Sequence, residues 1–92
     1  MVTAVQLDSA RTEALTTSLF NASIATMELF AVYLGDRLGY YQSLVADGPA
    51  TSTELAARTA TSERYTREWL EQQAIAGVLD VNDTGDALTR VF

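Results

Sequence analysis

Three arginines in the middle of the chain are the residues best suited to contact a ligand, and that ligand would be nucleic acid. Arg58, Arg64 and Arg67 lie within residues 51–80, TSTELAARTATSERYTREWLEQQAIAGVLD, a segment with the spacing of two short helices across a tight turn. Helix-turn-helix proteins insert the second helix into the major groove, where arginine can bind guanine bidentately. These arginines are therefore the expected DNA contacts if the protein is a small winged-helix transcription regulator.

Acidic residues on the same helix favour a different role for these arginines. Three pairs of opposite charge stand four residues apart, as ion pairs along one helix face do: Glu63 with Arg67, Arg64 with Glu68, and Arg67 with Glu71. The whole chain has twelve acidic and six basic residues, and its formal net charge of -6 repels a phosphate backbone. Nucleic acid is thus disfavoured as a partner, and DNA binding is kept as the alternative interpretation.

The composition offers no set of residues that could catalyse a reaction by itself. The chain has no Cys, no His and no Lys, which excludes thiolate ligands, imidazole bases and Schiff-base chemistry. Asn82, Asp83 and Asp86 lack the spacing of a calcium-binding loop. We expect no catalytic residue, no metal site and no cofactor site in the 92 residues.

Aromatic residues are the other candidates for ligand contact. One set could line a substrate tunnel shared with another domain, or pack within a layer of helices: Met27, Tyr33, Tyr40 and Tyr41. Tyr65 and Trp69 could form a stacking platform for an aromatic substrate. Their helical spacing beside Leu70 favours a place in the core instead.

A long helix must precede this segment, and it is apolar on more than one side. The pattern predicts a helix from about Asp8, after a flexible N-terminus at residues 1–7, with apolar residues on nearly every face of 19–34. A membrane span needs about 20 apolar residues, and this shorter run contains Asn21 and Glu28. We expect one side to pack on the following helices and the other to pair with a second subunit or a further domain. The predicted dimer interface comprises Leu19, Phe20, Ile24, Met27, Phe30 and Leu34.

Turn and capping residues divide the rest of the chain. Gly35 and Asp36 are expected to interrupt the long helix, with Asp36 capping a second helix over residues 37–45. Thr51 and Glu54 have the T-x-x-E spacing of a capping box. The elements predicted after it are helices over 52–58 and 62–76, a strand over 78–81, a turn over 82–86 and a strand over 87–92.

These elements predict a mainly α fold, a winged helix-turn-helix with a small two-stranded β-wing and extra N-terminal helices. Residues 8–50 are the expected dimerisation helices and residues 51–92 the winged helix-turn-helix, in one compact unit. The N-terminus lacks the basic and apolar regions of a signal peptide, so a cytoplasmic location is expected.

Three segments resemble a known family: GDRLGYYQSL at 35–44, TSTELAARTATSERY at 51–65 and YTREWLEQQAIAGVLD at 65–80. They are similar to the N-terminal winged-helix domain of class I S-adenosylmethionine-dependent methyltransferases of the bacterial, especially actinobacterial, type. The resemblance covers roughly residues 18–88, and its most specific part is the run REWLEQQA at 67–74. Ala60 is a departure, because the family's turn usually has glycine there and a left-handed alanine costs about 1 kcal/mol.

The resemblance implies a domain without chemistry of its own. In such enzymes the N-terminal helices pair two subunits and close over the substrate side of the active site. The cofactor binds a glycine-rich loop of the catalytic domain, and none of the five glycines here forms a G-x-G pair. S-adenosylmethionine is therefore expected as the cofactor of a parent enzyme, which would take a small-molecule substrate and form a homodimer. The apolar Val91 and Phe92 lead us to expect that more protein follows.

Overall fold

Four helices in chain order make up the fold. The computed structural model describes residues 4–82 and 85–92. The helices are α1 (Ala4–Arg37), α2 (Tyr40–Asp47), α3 (Ser52–Thr59) and α4 (Glu63–Ile75). This arrangement confirms the mainly helical fold class. Helix α1 begins at Ala4, four residues before the expected start, and residues 1–3 of the expected flexible N-terminus lie outside the described residues.

Helix α1 gives the molecule an elongated shape. Its 34 residues span about 51 Å at a rise of 1.5 Å per residue, and the longest dimension of the chain is 62 Å. The radius of gyration is 18.9 Å, whereas a compact chain of this length would have about 12 Å. Every side chain described between residues 8 and 30 is exposed. The N-terminal part of α1 therefore extends away from the other three helices.

The predicted interruption at Gly35 and Asp36 is wrong, because α1 continues to Arg37. The chain turns instead at Gly39, whose φ of 79° lies in the left-handed region that favours glycine. Gly39 also stands at the N-cap position of α2, where no side chain caps the helix. Gly35 lies within the helix, and the absence of a side chain there leaves room for the rings of Trp69 and Tyr41.

A small core lies where α2, α3 and α4 meet. It contains Tyr40, Ala50, Leu55, Trp69, Leu70 and Phe92. The rings of Tyr40 and Trp69 are tilted, with centroids 4.5 Å apart, and the Tyr40 hydroxyl shares a 2.9 Å hydrogen bond with Oγ1 of Thr66. Thr66 is fully buried, so this bond satisfies a polar group that would otherwise be costly to bury.

The prediction that Tyr65 lies in the core is wrong. Trp69 is buried as predicted, but the Tyr65 side chain is 75% exposed. The buried positions of α4 are Thr66, Trp69, Leu70 and Gln73, which follow the spacing of one helix face. Tyr65 precedes that face by one residue, about 100° around the helix, and so points to solvent.

The structure of the helix-turn-helix agrees with the capping signal in the sequence. The amide of Glu54 donates to Oγ1 of Thr51 at 3.2 Å, and the amide of Thr51 donates to Oε1 of Glu54 at 3.0 Å, which confirms the capping box. The Ala60 backbone is left-handed, with φ 55° and ψ 43°. Alanine therefore occupies a left-handed conformation that costs about 1 kcal/mol relative to glycine, so the departure from glycine at this position does not change the turn.

The two-stranded wing is not seen among the described residues. Asn82 and Val91 form a single antiparallel bridge, with N–H···O distances of 2.8 and 3.3 Å. The predicted strand over 78–81 cannot extend the ladder, because the amides of Val78 and Leu79 donate to the carbonyl of Gln73 at the end of α4. Part of the predicted turn, residues 83–84, lies outside the described residues.

Residues 87–92, which were predicted to form the second strand, make other hydrogen bonds instead. The carbonyl of Asp86 accepts the amides of Thr89 and Arg90, both at 3.2 Å, and its carboxylate accepts the amide of Leu88 at 2.9 Å. This tight turn replaces the start of the predicted strand over 87–92. Phe92 then exchanges two backbone hydrogen bonds with Ala50, at 2.9 and 3.1 Å, which joins the end of the chain to the loop before α3.

Candidate protein-interaction site

Trp69 fixes α4 against α1 and thereby places the exposed part of α1. Its indole Nε1 donates a 2.7 Å hydrogen bond to the carbonyl oxygen of Ala31. A Cβ atom at Gly35 would lie 2.3 Å from Cζ2 of Trp69 and 2.7 Å from Cε2 of Tyr41. Only glycine therefore allows the indole to approach the α1 backbone this closely. The sequence analysis interpreted Gly35 as a helix break and missed this contact, although a lone glycine within an apolar helical run is also a signal of close packing.

A groove of about 700 Å³ opens on one side of this contact, between α1 and α4. Its α1 wall contains four of the six predicted dimer residues, Ile24, Met27, Phe30 and Leu34. Its α4 wall contains Ile75, which is 89% exposed. A large exposed apolar groove of this kind is typical of an interaction site.

The remaining two predicted dimer residues lie further along the same helix, towards its N-terminus. Leu19 and Phe20 are both exposed, whereas Leu34 is half-buried. Pairing of two chains through these residues stays a prediction. What the structure adds is that α1 carries them outside the core, where another surface can reach them.

The aromatic candidates separate into two places. Met27 and Tyr33 are exposed on α1, and the Tyr33 ring stacks on Phe30 with centroids 6.2 Å apart. Tyr40 is only 2% exposed and belongs to the core, so this chain cannot present its ring to a substrate. Tyr41 is half-buried and donates to Oε1 of Gln73, and burial raises the pKa of its hydroxyl.

Each of the three arginines predicted to contact DNA has a partner within the chain. Nη1 of Arg58 donates to the carbonyl of Gly48 at 2.7 Å, which ties α3 to the loop before it. Nε of Arg64 lies 3.3 Å from Oε1 of Glu68, and Nε of Arg67 lies 3.3 Å from Oε2 of Glu63. These contacts confirm two of the three predicted ion pairs. The charges on the second helix are thereby largely balanced.

The third predicted ion pair is wrong. Glu71 is paired with Arg90 instead of Arg67, with Nη1 of Arg90 2.9 Å from Oε1 of Glu71. This contact joins α4 to a residue near the end of the chain, nineteen positions away in sequence, so the spacing within one helix could not indicate it. Oγ of Ser52 donates to Oε2 of Glu63 at 2.6 Å and links the starts of α3 and α4.

Residues 8–37 of α1 are long and apolar enough to cross a membrane by length and composition alone. This observation is weak, because Glu28 lies in the apolar run. The C-terminal part of the run is also held by Trp69 through Ala31. Among the described residues, no group of three or more acidic side chains is placed to hold a metal ion.

Comparison with known proteins bears on the fold. A family model described as the Rv2258c-like winged HTH domain matches residues 22–88, which are 67 of the 92 residues. The matched region starts in the middle of α1, includes α2, α3 and α4, and ends before Val91. No curated protein sequence matches the chain.

Proposed function

We propose that this chain, which belongs to the Rv2258c-like winged HTH domain family, is the non-catalytic assembly domain of an S-adenosylmethionine-dependent methyltransferase. In this proposal two copies pair through α1, and each covers the substrate side of a catalytic domain outside these 92 residues. S-adenosylmethionine and the small-molecule substrate bind to the parent enzyme in the cytoplasm. Residues 8–50 serve as the pairing helices and residues 51–92 as the winged scaffold.

The exposed apolar surface of α1 is the observation that carries the proposal. Phe20, Met27 and Phe30 are each more than half exposed, at 65%, 68% and 53%. Burying one such side chain contributes about 1.5–3 kcal/mol, so a partner that covers several of them gains a large free energy. A helix with apolar side chains exposed over most of its length is suited to that use.

The methyltransferase part of the proposal is supported by resemblance. The run REWLEQQA at 67–74 is similar to the corresponding helix of such enzymes, and Trp69 of this run holds α1 in place through its bond to Ala31. In the proposed assembly, the same contact orients the pairing helix relative to the winged scaffold. The groove between α1 and α4 is then the surface available to the catalytic domain and its substrate.

The oligomeric state in solution tests the pairing. Size-exclusion chromatography with light scattering should give a dimer for the wild-type chain. Leu15→Glu with Leu29→Glu, at two exposed positions of α1 outside the groove, should give a folded monomer. Val45→Glu is the matched control, because Val45 is 88% exposed on α2 and does not line the groove. A wild-type monomer at the highest soluble concentration, with native circular dichroism, would contradict the proposal.

Two further observations test the enzyme assignment. Calorimetric titration of this chain with S-adenosylmethionine should produce no binding heat, because no glycine-rich cofactor loop is present in its sequence. The genomic sequence that follows the codon for Phe92 should continue in frame to a strand and a G-x-G-x-G loop. A stop codon there would separate the chain from a catalytic domain and remove this part of the proposal.

A DNA-binding transcription regulator is the second candidate, favoured by one feature of α4. Arg64 and Tyr65 remain accessible there, with the Arg64 side chain 71% exposed and Tyr65 75% exposed. A gel shift at low salt decides between the candidates, because phosphate contacts make DNA affinity strongly salt-dependent. Salt-sensitive binding that Arg64→Ala and Arg67→Ala abolish would favour the regulator.

A further inference from the structure

A second exposed face of α1 has a pattern that is complementary to itself. Residues spaced alternately by four and three fall within about 100° of one another around a helix. On α1 such a stripe contains Arg11, Leu15, Ala22, Ala25, Val32 and Asp36, all of them exposed. We call these six residues the self-complementary face. It lies on the opposite side of the Trp69 contact from the groove.

We infer that this face pairs antiparallel with the same face of a second copy of the chain. When Ala22 lies opposite Ala25 of the partner subunit, Leu15 comes opposite Val32 of the partner subunit. In the same register Arg11 comes opposite Asp36 of the partner subunit. The two-fold axis repeats each residue pair at the other end of the interface, so a single register forms all of these pairs twice.

The residue types match the demands of each position. Alanines at the centre allow the two helices to approach closely, while leucine and valine on either side fill the space between the helices. Ser18 would face Leu29 of the partner subunit in this register, and the Ser18 hydroxyl can turn to a backbone carbonyl of its own helix. The contact would run for about 38 Å, the length of 25 residue steps.

The charges decide the direction of pairing. In a parallel pair Arg11 would lie beside the partner's Arg11, and Asp36 beside the partner's Asp36, which places like charges together. The antiparallel pair joins opposite charges at both ends, and a register shifted by one heptad would leave Arg11 and Asp36 without these partners. The Asp36 carboxylate already accepts a 3.1 Å bond from Nε2 of Gln42, and a carboxylate has further acceptor positions for an arginine.

This inference rests on the proposed function, since it names the face through which the two subunits pair. A hollow of about 270 Å³ beside Ala25 and Val32 also includes Val78, which is 50% exposed. A partner helix on the self-complementary face would cover this hollow. The groove on the other flank of α1 would remain open for the catalytic domain.

Engineered disulfides test the face and register, because the natural chain contains no cysteine. A mixture of Ala22→Cys and Ala25→Cys proteins should form a covalent dimer under mild oxidation, since facing Cα atoms within about 4.4–6.8 Å can be bridged. A mixture of Ser23→Cys and Ile24→Cys proteins is the matched control. These two residues lie at the same level along α1, but they line the groove. The control mixture should stay uncrosslinked.

The outcomes separate this inference from the proposed function. A dimer by light scattering that crosslinks only in the control mixture, or in neither mixture, overturns the face but not the pairing. Crosslinking of each single variant with itself, without crosslinking in the mixture, shows parallel helices and overturns the inference. A monomer, including one that sediments with phosphatidylcholine vesicles, overturns both.

A charge exchange gives a second readout without cysteines. Arg11→Asp and Asp36→Arg should each weaken the dimer about tenfold, because each dimer contains two exposed ion pairs that become repulsive. The combined variant Arg11→Asp with Asp36→Arg restores opposite charges and should regain the wild-type dissociation constant. Equal weakening by the combined variant would refute the proposed register.

Discussion

Replacing Gly35 by alanine tests how α4 is held on α1. In most helix interiors this change stabilises by about 1 kcal/mol, because alanine has the higher helix propensity. Here the new Cβ would lie 2.3 Å from Cζ2 of Trp69, so the indole must move. Overpacking of this kind costs about 1–3 kcal/mol, and loss of the bond from Trp69 to Ala31 adds about 0.5–1.5 kcal/mol.

The clash and the lost bond together outweigh the gain in propensity. We expect Gly35→Ala to lower the free energy of unfolding by about 2 kcal/mol overall. Urea unfolding followed by circular dichroism measures it, and the fluorescence of the single tryptophan reports the displaced indole. Ser18→Ala, on the exposed part of α1, is the control for helix propensity and should be neutral or slightly stabilising.

A double variant separates the clash from other effects of the alanine. Trp69→Phe removes the ring atoms nearest to residue 35, so Gly35→Ala should cost less in that background than in the wild type. Non-additivity of this kind indicates a direct contact. If Gly35→Ala alone makes the protein more stable, the close approach of Trp69 to α1 does not exist and the placement of α1 is wrong.

Three further predictions concern the helix-turn-helix. Ala60→Gly should raise the free energy of unfolding by about 1 kcal/mol, because the left-handed backbone at residue 60 suits glycine; a loss of stability in urea would contradict this. Tyr40→Phe should lower it by about 0.5–1.5 kcal/mol, since the buried hydrogen bond to Thr66 is lost; an unchanged urea midpoint would show that this bond contributes nothing. The third prediction concerns pH: hydrogen bonds from Thr51 hold the pKa of Glu54 below its ordinary value of 4.5, so their stabilisation is present above that value and lost as pH falls through the folded pKa. Glu54→Gln should flatten the acid limb of stability against pH, and an unchanged slope would count against the capping box.

Local signals in the sequence predicted the helix-turn-helix well. The capping box at Thr51 and Glu54 depends on residues within one turn of each other. The ion pairs of Arg64 and Arg67 follow helix spacing for the same reason. Interactions of this range are set by backbone geometry that every helix shares, so residue spacing is enough to find them.

The sequence predictions were wrong at positions where a residue distant in sequence contacts the same side chain or backbone group. Gly35 was expected to break α1, but Trp69, 34 positions later, requires a residue without a side chain there. The wing was expected to pair over two strands, but Gln73 accepts the amides of Val78 and Leu79, which the first strand would need. Glu71 similarly pairs with Arg90 rather than with a neighbour on its own helix.

The sequence by itself determined that a long apolar helix precedes a helix-turn-helix. Periodicity and capping residues suffice for this, because they depend on residue types and on spacing within one element. Only the tertiary structure decided which faces of α1 remain available. The bond from Trp69 to Ala31 and the missing side chain at Gly35 place α4 on one side of α1. That contact leaves the groove and the self-complementary face as separate surfaces, and no spacing along the chain could have distinguished them.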